Sequence, residues 1–429
     1  MPSNKLDGYF GFTSFGESHG PAIGLVIDSP PPNLDFPHDA LKSALARRNI
    51  GTPYKTPRNE SDDYEILSGV FEGKTTGMPL CIVVRNHDAR SLDYEAFKNV
   101  FRPGHADFAW YEKYHIYDYR GGGRASGRET LTRVIAASFT EDIIKPITIE
   151  TRCLQIGEFI ADPDGIWEDN PFAWSDKASL AKLYDYLDNV KAEGDSVGGI
   201  IELTAMNVPA GLGDPVYDKL SSNIAKAMLS IPSVKGISFG DGEALASMKG
   251  SLGNDQISST GFLSNHQGGI NAGVSNGNDL RLRLIVRAVP SVSKPQGTID
   301  KAGKDHIVSI QGRHDVCHIP RLIPVAEAML KLCLADAIQH QKLISGEQAN
   351  LSSYRESLDK LDEDLILLLH RRKKLVEQVK AFKKEHQLSP RDEDREREII
   401  ARSRDLGREL DLDDDIVYRI MHLVLQSSQ

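Results

Sequence analysis

Near Ser345-Gly346 the texture of this sequence changes abruptly, and no single folding pattern serves both sides of the break. Before it the chain is rich in glycine and proline, with short apolar runs bounded by turn residues at 22–27, 79–84, 199–203 and 280–286. Runs of that length read as strands. Between them lie helical patterns at 38–49, 128–142, 180–192, 215–229 and 324–340. Strands and helices mix without strict alternation, and no dinucleotide-type glycine fingerprint leads a strand into a helix. The expectation is an α+β domain rather than a doubly wound parallel sheet. After the break glycine nearly disappears. Leu358, Leu361, Leu365, Leu368, Leu375, Val379 and Phe382 recur three and four apart, which predicts a long amphipathic helix. Ser389-Pro390 interrupts it, because proline disfavours helix in the residue before it. A second helix is predicted from Asp392 to about Leu406, ending at Gly407, and a third from Asp413 onward. The expected organisation is a domain over 1–343, a linker over 344–350 and an all-α three-helix domain over 351–429. Three helices alone make a thin core, so the first is expected to need a partner chain.

Charge narrows the choice of ligand. The formal net charge of −10 argues against a general nucleic-acid or membrane-surface binder, while small anions remain compatible. Cys81, Cys153, Cys317 and Cys333 are far apart and form no CxxC pair. That fits reduced thiols, with neither a disulfide framework nor a zinc site. The opening MPSNKLDGYF lacks the apolar region of a signal peptide, and no run approaches a membrane span, so the expected compartment is the cytoplasm.

Against this acidic background, cations concentrate locally. RPGHAD at 102–107 is followed by GGGRASGRET at 121–130, bringing Arg102, Arg120, Arg124, Arg128 and Arg133 beside several glycines. Arginine offers planar bidentate donors to phosphate and carboxylate, and glycine lets main-chain N–H groups approach an anion closely. FGESHG at 15–20, HQGGINAGVSNG at 266–277 and GRHDVC at 312–317 likewise set reactive side chains among turn residues. Singly, each is what a turn would produce. Together, the histidines His19, His105 and His314 occur without an Asp or Cys cluster of metal spacing. The pattern points away from a metal and toward acid–base work on a phosphorylated substrate.

These five segments, taken with the motifs FRPGHAD, DYRGGGR, VPAGLGDPV and SNHQGG, closely resemble the chorismate synthase family over about Gly8 to His340. The resemblance implies a β-α-β sandwich, a homotetramer and the 1,4-trans elimination of phosphate from 5-enolpyruvylshikimate 3-phosphate with reduced FMN. It implies that Arg48, Lys55, Arg102 and Arg128 meet the substrate or NADP, with Arg313 adding positive charge. His19 resembles the histidine that protonates departing phosphate, with Ser18 beside it, and His105 the one that protonates the flavin. Asp315 would sit near flavin nitrogen 5 and relay a proton through Ser126. Flavin contacts are implied at Arg124, Ala125, Ser126, Pro232, Ser233, Gly273, Arg287, Ala288, Val289, Pro290, Ser291 and Arg313. Some synthases reduce flavin with NADPH and others rely on an external flavin reductase; the sequence carries no separate nicotinamide motif. Three departures stand out: Val316 replaces the proline of GRHDPC, RAVPS replaces KPTSS, and Tyr54-Lys55 replaces an arginine after Gly51-Thr52.

The tail segment from YRESLDKLDEDL to PRDEDREREI resembles the all-helical chorismate mutase family, an intertwined dimer that converts chorismate to prephenate. Arg372 interrupts the apolar seam, and Lys383 lies further along the same face; a charge on a buried seam needs an anion or an acidic partner. The resemblance implies that Arg372 and Lys383 bind carboxylate and ether oxygen. It gives Asp392 and Arg395 to orientation, Glu396 to the substrate hydroxyl, Arg355 to the partner chain's site and Ser428 to the third helix. A glutamine or glutamate commonly follows that serine by one turn, and the sequence given stops at Gln429. The alternative expectation is a weak or inactive mutase-like tail serving dimerisation or regulation.

Overall fold

The computed structural model describes residues 4–28, 30–49, 54, 62–87, 91–162, 165, 169–310, 314–345, 351–387, 389, 392–409 and 412–426. In its first half, strands β1 (Lys5–Leu6), β2 (Phe12–Gly16), β3 (Ala22–Ile27), β4 (Tyr64–Ser68) and β5 (Leu80–Arg85) form an antiparallel sheet. Its order is β1-β2-β3-β5-β4. A second antiparallel sheet comprises β6 (Thr148–Ile156), β7 (Phe159–Ile160), β8 (Gly199–Met206), β9 (Val234–Phe239) and β10 (Leu280–Val286), in the order β9-β10-β8-β6-β7. Period-two alternation explains its burial. Ile201, Leu203 and Ala205 on β8 and Leu280, Leu282 and Leu284 on β10 are fully buried, while the intervening residues are less so.

Helices fill the space between the sheets. α1 (His38–Arg48) packs on α3 (Leu131–Ala137), which lies against β3; α2 (Asp107–Tyr114) precedes it in sequence. α4 (Leu180–Ala192) and α5 (Leu220–Leu229) flank the second sheet's core, burying Leu183, Leu187, Ile224 and Met228. The long α6 (Ile319–Ser345) links the layers through the buried carboxylate of Glu327. Glu327 accepts from Arg47 of α1 at 2.8 Å and from Thr151 of β6 at 2.9 Å. The outcome is the α+β sandwich of sheet, helices and sheet that the resemblance implied.

Helix limits differ from the expectation in instructive ways. The helix expected over 128–142 is cut to α3 because the Ser138 and Thr140 hydroxyls bond back to Ile135 and Ala137 carbonyls, at 2.7 and 2.8 Å. The one expected from Pro215 begins at Leu220. α6 starts before Pro324, which lies inside the helix and gives no N–H to the Pro320 carbonyl one turn earlier.

The chain divides into two compact units, Met1–Ile344 and Ser345–Gln429. The second consists of α7 (Leu351–Glu385), α8 (Glu393–Glu409) and α9 (Asp414–Gln426) among the described residues. Gly407 does not end α8, as the sequence suggested. It is a buried close-approach point: a Cβ there would lie 2.7 Å from Val417 of α9. Arg404 reinforces that contact, its Nε lying 2.9 Å from both carboxylate oxygens of Asp414. On α7, Leu358, Leu361, Leu365, Leu368, Leu375, Val379 and Phe382 are all exposed in the single chain.

Gly199 offers a test of the layering, since a Cβ would meet the Gln155 carbonyl oxygen at 2.0 Å and Ile319 Cδ1 at 2.7 Å. Gly199→Ala is expected to destabilise the large unit by about 1–3 kcal/mol, read as a lower urea midpoint in tryptophan fluorescence.

Candidate functional site

A cavity of about 1060 Å³ opens between the sheets where α1 ends and α6 begins. Small-molecule pockets usually span about 300–1,000 Å³, and this one is at the upper end of that range. Arg48, Arg102 and Arg128 line it, and all three are nearly inaccessible to solvent.

Buried carboxylates hold these cations. Asp62 bridges two of them, accepting from Arg48 Nη1 at 3.3 Å and from Arg128 Nη1 at 2.6 Å. Asp107, one turn after Arg102, takes its guanidinium bidentately, with both bonds at 2.8 Å. Arg48 also donates to Thr130 Oγ1 at 3.2 Å and to the Gly127 carbonyl at 3.1 Å. Burial, with Arg321 and Arg128 nearby, lowers the Arg48 guanidinium to about 9. Arginines this close in a water-poor cavity favour an anionic occupant.

His19, on the turn between β2 and β3, is not itself among the residues lining the cavity but packs against two that are. Gly121, in the left-handed region at φ +61°, leaves room for it; a Cβ there would sit 2.2 Å from His19 Cδ2. Tyr94 meets its ring edge-on at 5.0 Å between centroids and also carries the Arg102 guanidinium at 5.6 Å. Tyr94 and Gly121 line the cavity, whereas the buried Ser18, bonded to the Gly121 carbonyl at 3.1 Å, lies behind them. Asn86 ties the turn to the arginines, donating to the Glu17 and Gly20 carbonyls at 3.0 and 2.8 Å and accepting from Arg128 Nε at 2.9 Å.

His105 faces the same cavity. Its Nδ1 lies 2.9 Å from the Pro103 carbonyl and its Nε2 lies 2.9 Å from Ser291 Oγ. Burial first and Arg102 second pull it down to about 4. Asp315 lines the cavity too, paired with Arg321 at 3.1 Å. His314 lines the cavity as well, with its Nε2 3.1 Å from the Ile310 carbonyl.

Of the residues expected to meet flavin, Arg124, Ala125, Ser126, Pro232, Ser233, Arg287, Val289, Pro290 and Ser291 line the cavity. Arg124 spends its guanidinium on β2, donating to the Gly16 carbonyl at 3.1 Å and to Ser14 Oγ at 2.6 Å. Ala288 lies outside the lining. Gly273 does as well: a Cβ there would press on Lys219 and Asp214, so its bare backbone serves packing within this chain rather than an approach to this cavity. Lys55 and Arg313 lie outside the described residues. The set fits a phosphate-bearing aromatic cofactor, because Arg287 Nε is buried with no hydrogen-bond partner among the described residues while Nη2 is anchored 2.7 Å from the Gly104 carbonyl. Among those residues no cluster of His, Cys, Asp or Glu suits a metal, and no helix is long and apolar enough to cross a membrane.

Sequence reasoning missed Asp62, Asn86, Tyr94, Asp107, Arg321 and His318. Asp107 closes the RPGHAD segment, but Asp62 sits in an ordinary-looking polar run and acquires meaning only in three dimensions. His318 lines the cavity with both ring nitrogens buried and without hydrogen-bond partners among the described residues. Burial lowers it to about 4. Arg120 and Arg133, left without roles, are structural: Arg120 pairs with Asp118 at 2.8 Å, and Arg133 with Glu129 at 2.8 Å and Ser230 Oγ at 2.6 Å.

In the second unit, Arg372 is half-buried and donates to the Val424 carbonyl at 3.2 Å, and Lys383 is half-buried further along α7. Asp392 caps α8 by accepting from the Arg395 N–H at 3.0 Å, while the Arg395 guanidinium meets Glu398 at 2.5 Å. Glu396 is half-buried on α8. Arg355 lies on α7 with its side chain outside the described residues, and Ser428 lies outside them altogether.

Asp62 is the most exacting test of the site's electrostatics. Asp62→Asn leaves two buried guanidinium groups short of a counter-charge and is expected to cost about 3–5 kcal/mol, measured by urea unfolding of the large unit.

Residues 10–339 match the family profile of chorismate synthase, and residues 354–429 match that of chorismate mutase type II. The chain is 43% identical to a chorismate synthase of Syntrophus aciditrophicus (strain SB), covering 80% of this chain and 100% of that one. It is 45% identical to a chorismate synthase of Desulfatibacillum aliphaticivorans, covering 80% of this chain and 97% of that one. A crystal structure of chorismate synthase superposes with a TM-score of 0.59 at 27% identity, over 77% of this chain and 91% of that one. The chain belongs to the chorismate synthase family, with a type II chorismate mutase domain following its synthase domain.

Proposed function

We propose that the first unit converts 5-enolpyruvylshikimate 3-phosphate to chorismate with reduced FMN, and that the second rearranges chorismate to prephenate. The observation that carries this reading is the gathering of Arg48, Arg102 and Arg128 with His105 and Asp315 around one cavity of a chorismate synthase. The substrate bears a phosphate and two carboxylates, and the arginines meet those charges where water is scarce. Their geometry is set before binding by Asp62 and Asp107, so little reorganisation falls to the reaction itself. His19, held by Tyr94 and Gly121, gives its proton to the phosphate as the carbon–oxygen bond breaks. Arg287, beside Ser291, would hold the cofactor's phosphate. Reduced flavin, when bound, would supply electron density to the reacting ring and accept its departing hydrogen. Reduced flavin would be supplied either by NADPH or by an external flavin reductase, and the family resemblance implies a cytoplasmic homotetramer.

In the second unit, Arg372 and Lys383 would take the carboxylate and ether oxygen of chorismate. Asp392, Arg395 and Glu396 would fix its orientation and hydroxyl, with Ser428 on the third helix. No proton moves in the rearrangement, so confinement and electrostatics are the whole task. A second copy of the chain would cover the exposed seam of α7 and contribute its Arg355, as in the mutase dimer.

An anaerobic assay with chemically reduced FMN and the phosphorylated substrate, following phosphate, chorismate and prephenate, tests both halves. The full chain is expected to release phosphate and form prephenate, and His19→Ala to slow phosphate release by about 10²–10⁴-fold. Chorismate accumulating without prephenate would leave the tail as a dimerisation or regulatory element. No phosphate release would sink the synthase reading.

A further inference from the structure

The segment from Arg287 to Ser291 is interlocked with the turn that carries His105 at three points. Arg287 Nη2 donates to the Gly104 carbonyl at 2.7 Å. Gly104, at φ +69°, packs so closely on Pro290 that a Cβ would approach its side chain to 2.9 Å. Ser291 Oγ lies 2.9 Å from His105 Nε2. The position of that hydroxyl is therefore fixed by backbone packing on both sides.

This leaves His105 with no unengaged nitrogen. The Pro103 carbonyl can only accept, so the Nδ1 that it meets at 2.9 Å carries the hydrogen. In the neutral ring Nε2 is then a lone pair, and the Ser291 hydroxyl must be the donor to it. The charged groups facing the ring are Arg102 and Arg287, which favour the neutral form, and Asp107, which opposes them. The ring is thus neutral at neutral pH, and its Nε2 is engaged by Ser291, which lines the cavity beside it.

We propose that Ser291 is the proton relay of His105: the serine hydroxyl, and not the imidazole, meets the ligand that receives the proton. An anionic ligand entering the cavity offsets Arg102 and Arg287 and allows His105 Nε2 to take a proton from solvent. The hydroxyl then turns, accepts the Nε2–H proton and passes its own proton to the ligand. Across the step one N–H bond breaks and one bond to hydrogen forms on the acceptor, while Ser291 ends as it began. Family resemblance gave Ser291 to the flavin alone; the geometry gives its hydroxyl to His105 first. The inference rests on the synthase reading for its acceptor, not for the hydrogen bond itself.

Three measurements on the full chain test it. In the ligand-free protein with ¹⁵N-labelled histidine, assigned with His105→Gln, the Nε2 resonance of His105 is expected to move toward that of a free imine nitrogen in Ser291→Ala and to return in Ser291→Thr. With reduced FMN, kcat is expected to fall about 10²-fold in Ser291→Ala and to recover in Ser291→Thr. Affinity for oxidised FMN, measured alongside, reads any binding role of Ser291 separately from the relay. An Nε2 resonance unchanged in Ser291→Ala overturns the proposal, as does turnover retained within twofold. Lost FMN affinity without a change at Nε2 would make Ser291 a ligand contact only and also overturn it. If the unaltered chain released no phosphate, the synthase reading would fall, while the resonance would still decide whether Ser291 donates to His105.

Discussion

The site depends on Asp62, a buried carboxylate shared between Arg48 and Arg128. Guanidinium groups cannot be withdrawn from water at this density without counter-charge, and Asp107 does for Arg102 what Asp62 does for the other two. These carboxylates do not fully offset the guanidinium groups: burial, with Arg321 nearby, holds Arg48 down to about 9 despite Asp62. Burial, and Arg102 after it, keeps His105 neutral. In the function proposed, an anionic ligand would offset the guanidinium charge at both groups and so couple binding to protonation.

Packing carries that electrostatic arrangement outward. Glu327 joins α1, α6 and β6, so the helix ending in Arg48 is braced against the second sheet. Asn86 fixes the distance between Arg128 and the turn bearing His19. Tyr94 touches both His19 and Arg102. His19 and the cations lining the cavity are thereby parts of one connected framework.

Much of this was legible from residue order, for different reasons in different places. β3 and β10 matched their apolar runs because isolated runs between turn residues have few alternatives. The helix over 128–142 was overestimated because hydroxyl back-bonding by Ser138 and Thr140 leaves little trace in hydrophobic periodicity. Gly407 looked like a terminator because a glycine's role in helix–helix approach needs the second helix to be seen. The arginines and glycines of the site announced an anion, whereas Asp62 and His318 were invisible as members of it. Their meaning is a matter of burial, and neighbours distant in sequence decide burial. In the second unit the apolar seam of α7 was readable, and so was its excess over what three helices can cover.

The central claim is that Arg48, Arg102 and Arg128 bind the phosphorylated substrate beside His19 in this one cavity. A crystal structure of the chain with oxidised FMN and 5-enolpyruvylshikimate 3-phosphate measures it most directly. The account predicts substrate anionic groups hydrogen-bonded to those guanidinium groups, with the phosphate ester within reach of His19. Substrate seated outside the cavity, or in it but contacting none of the three arginines, would contradict the account.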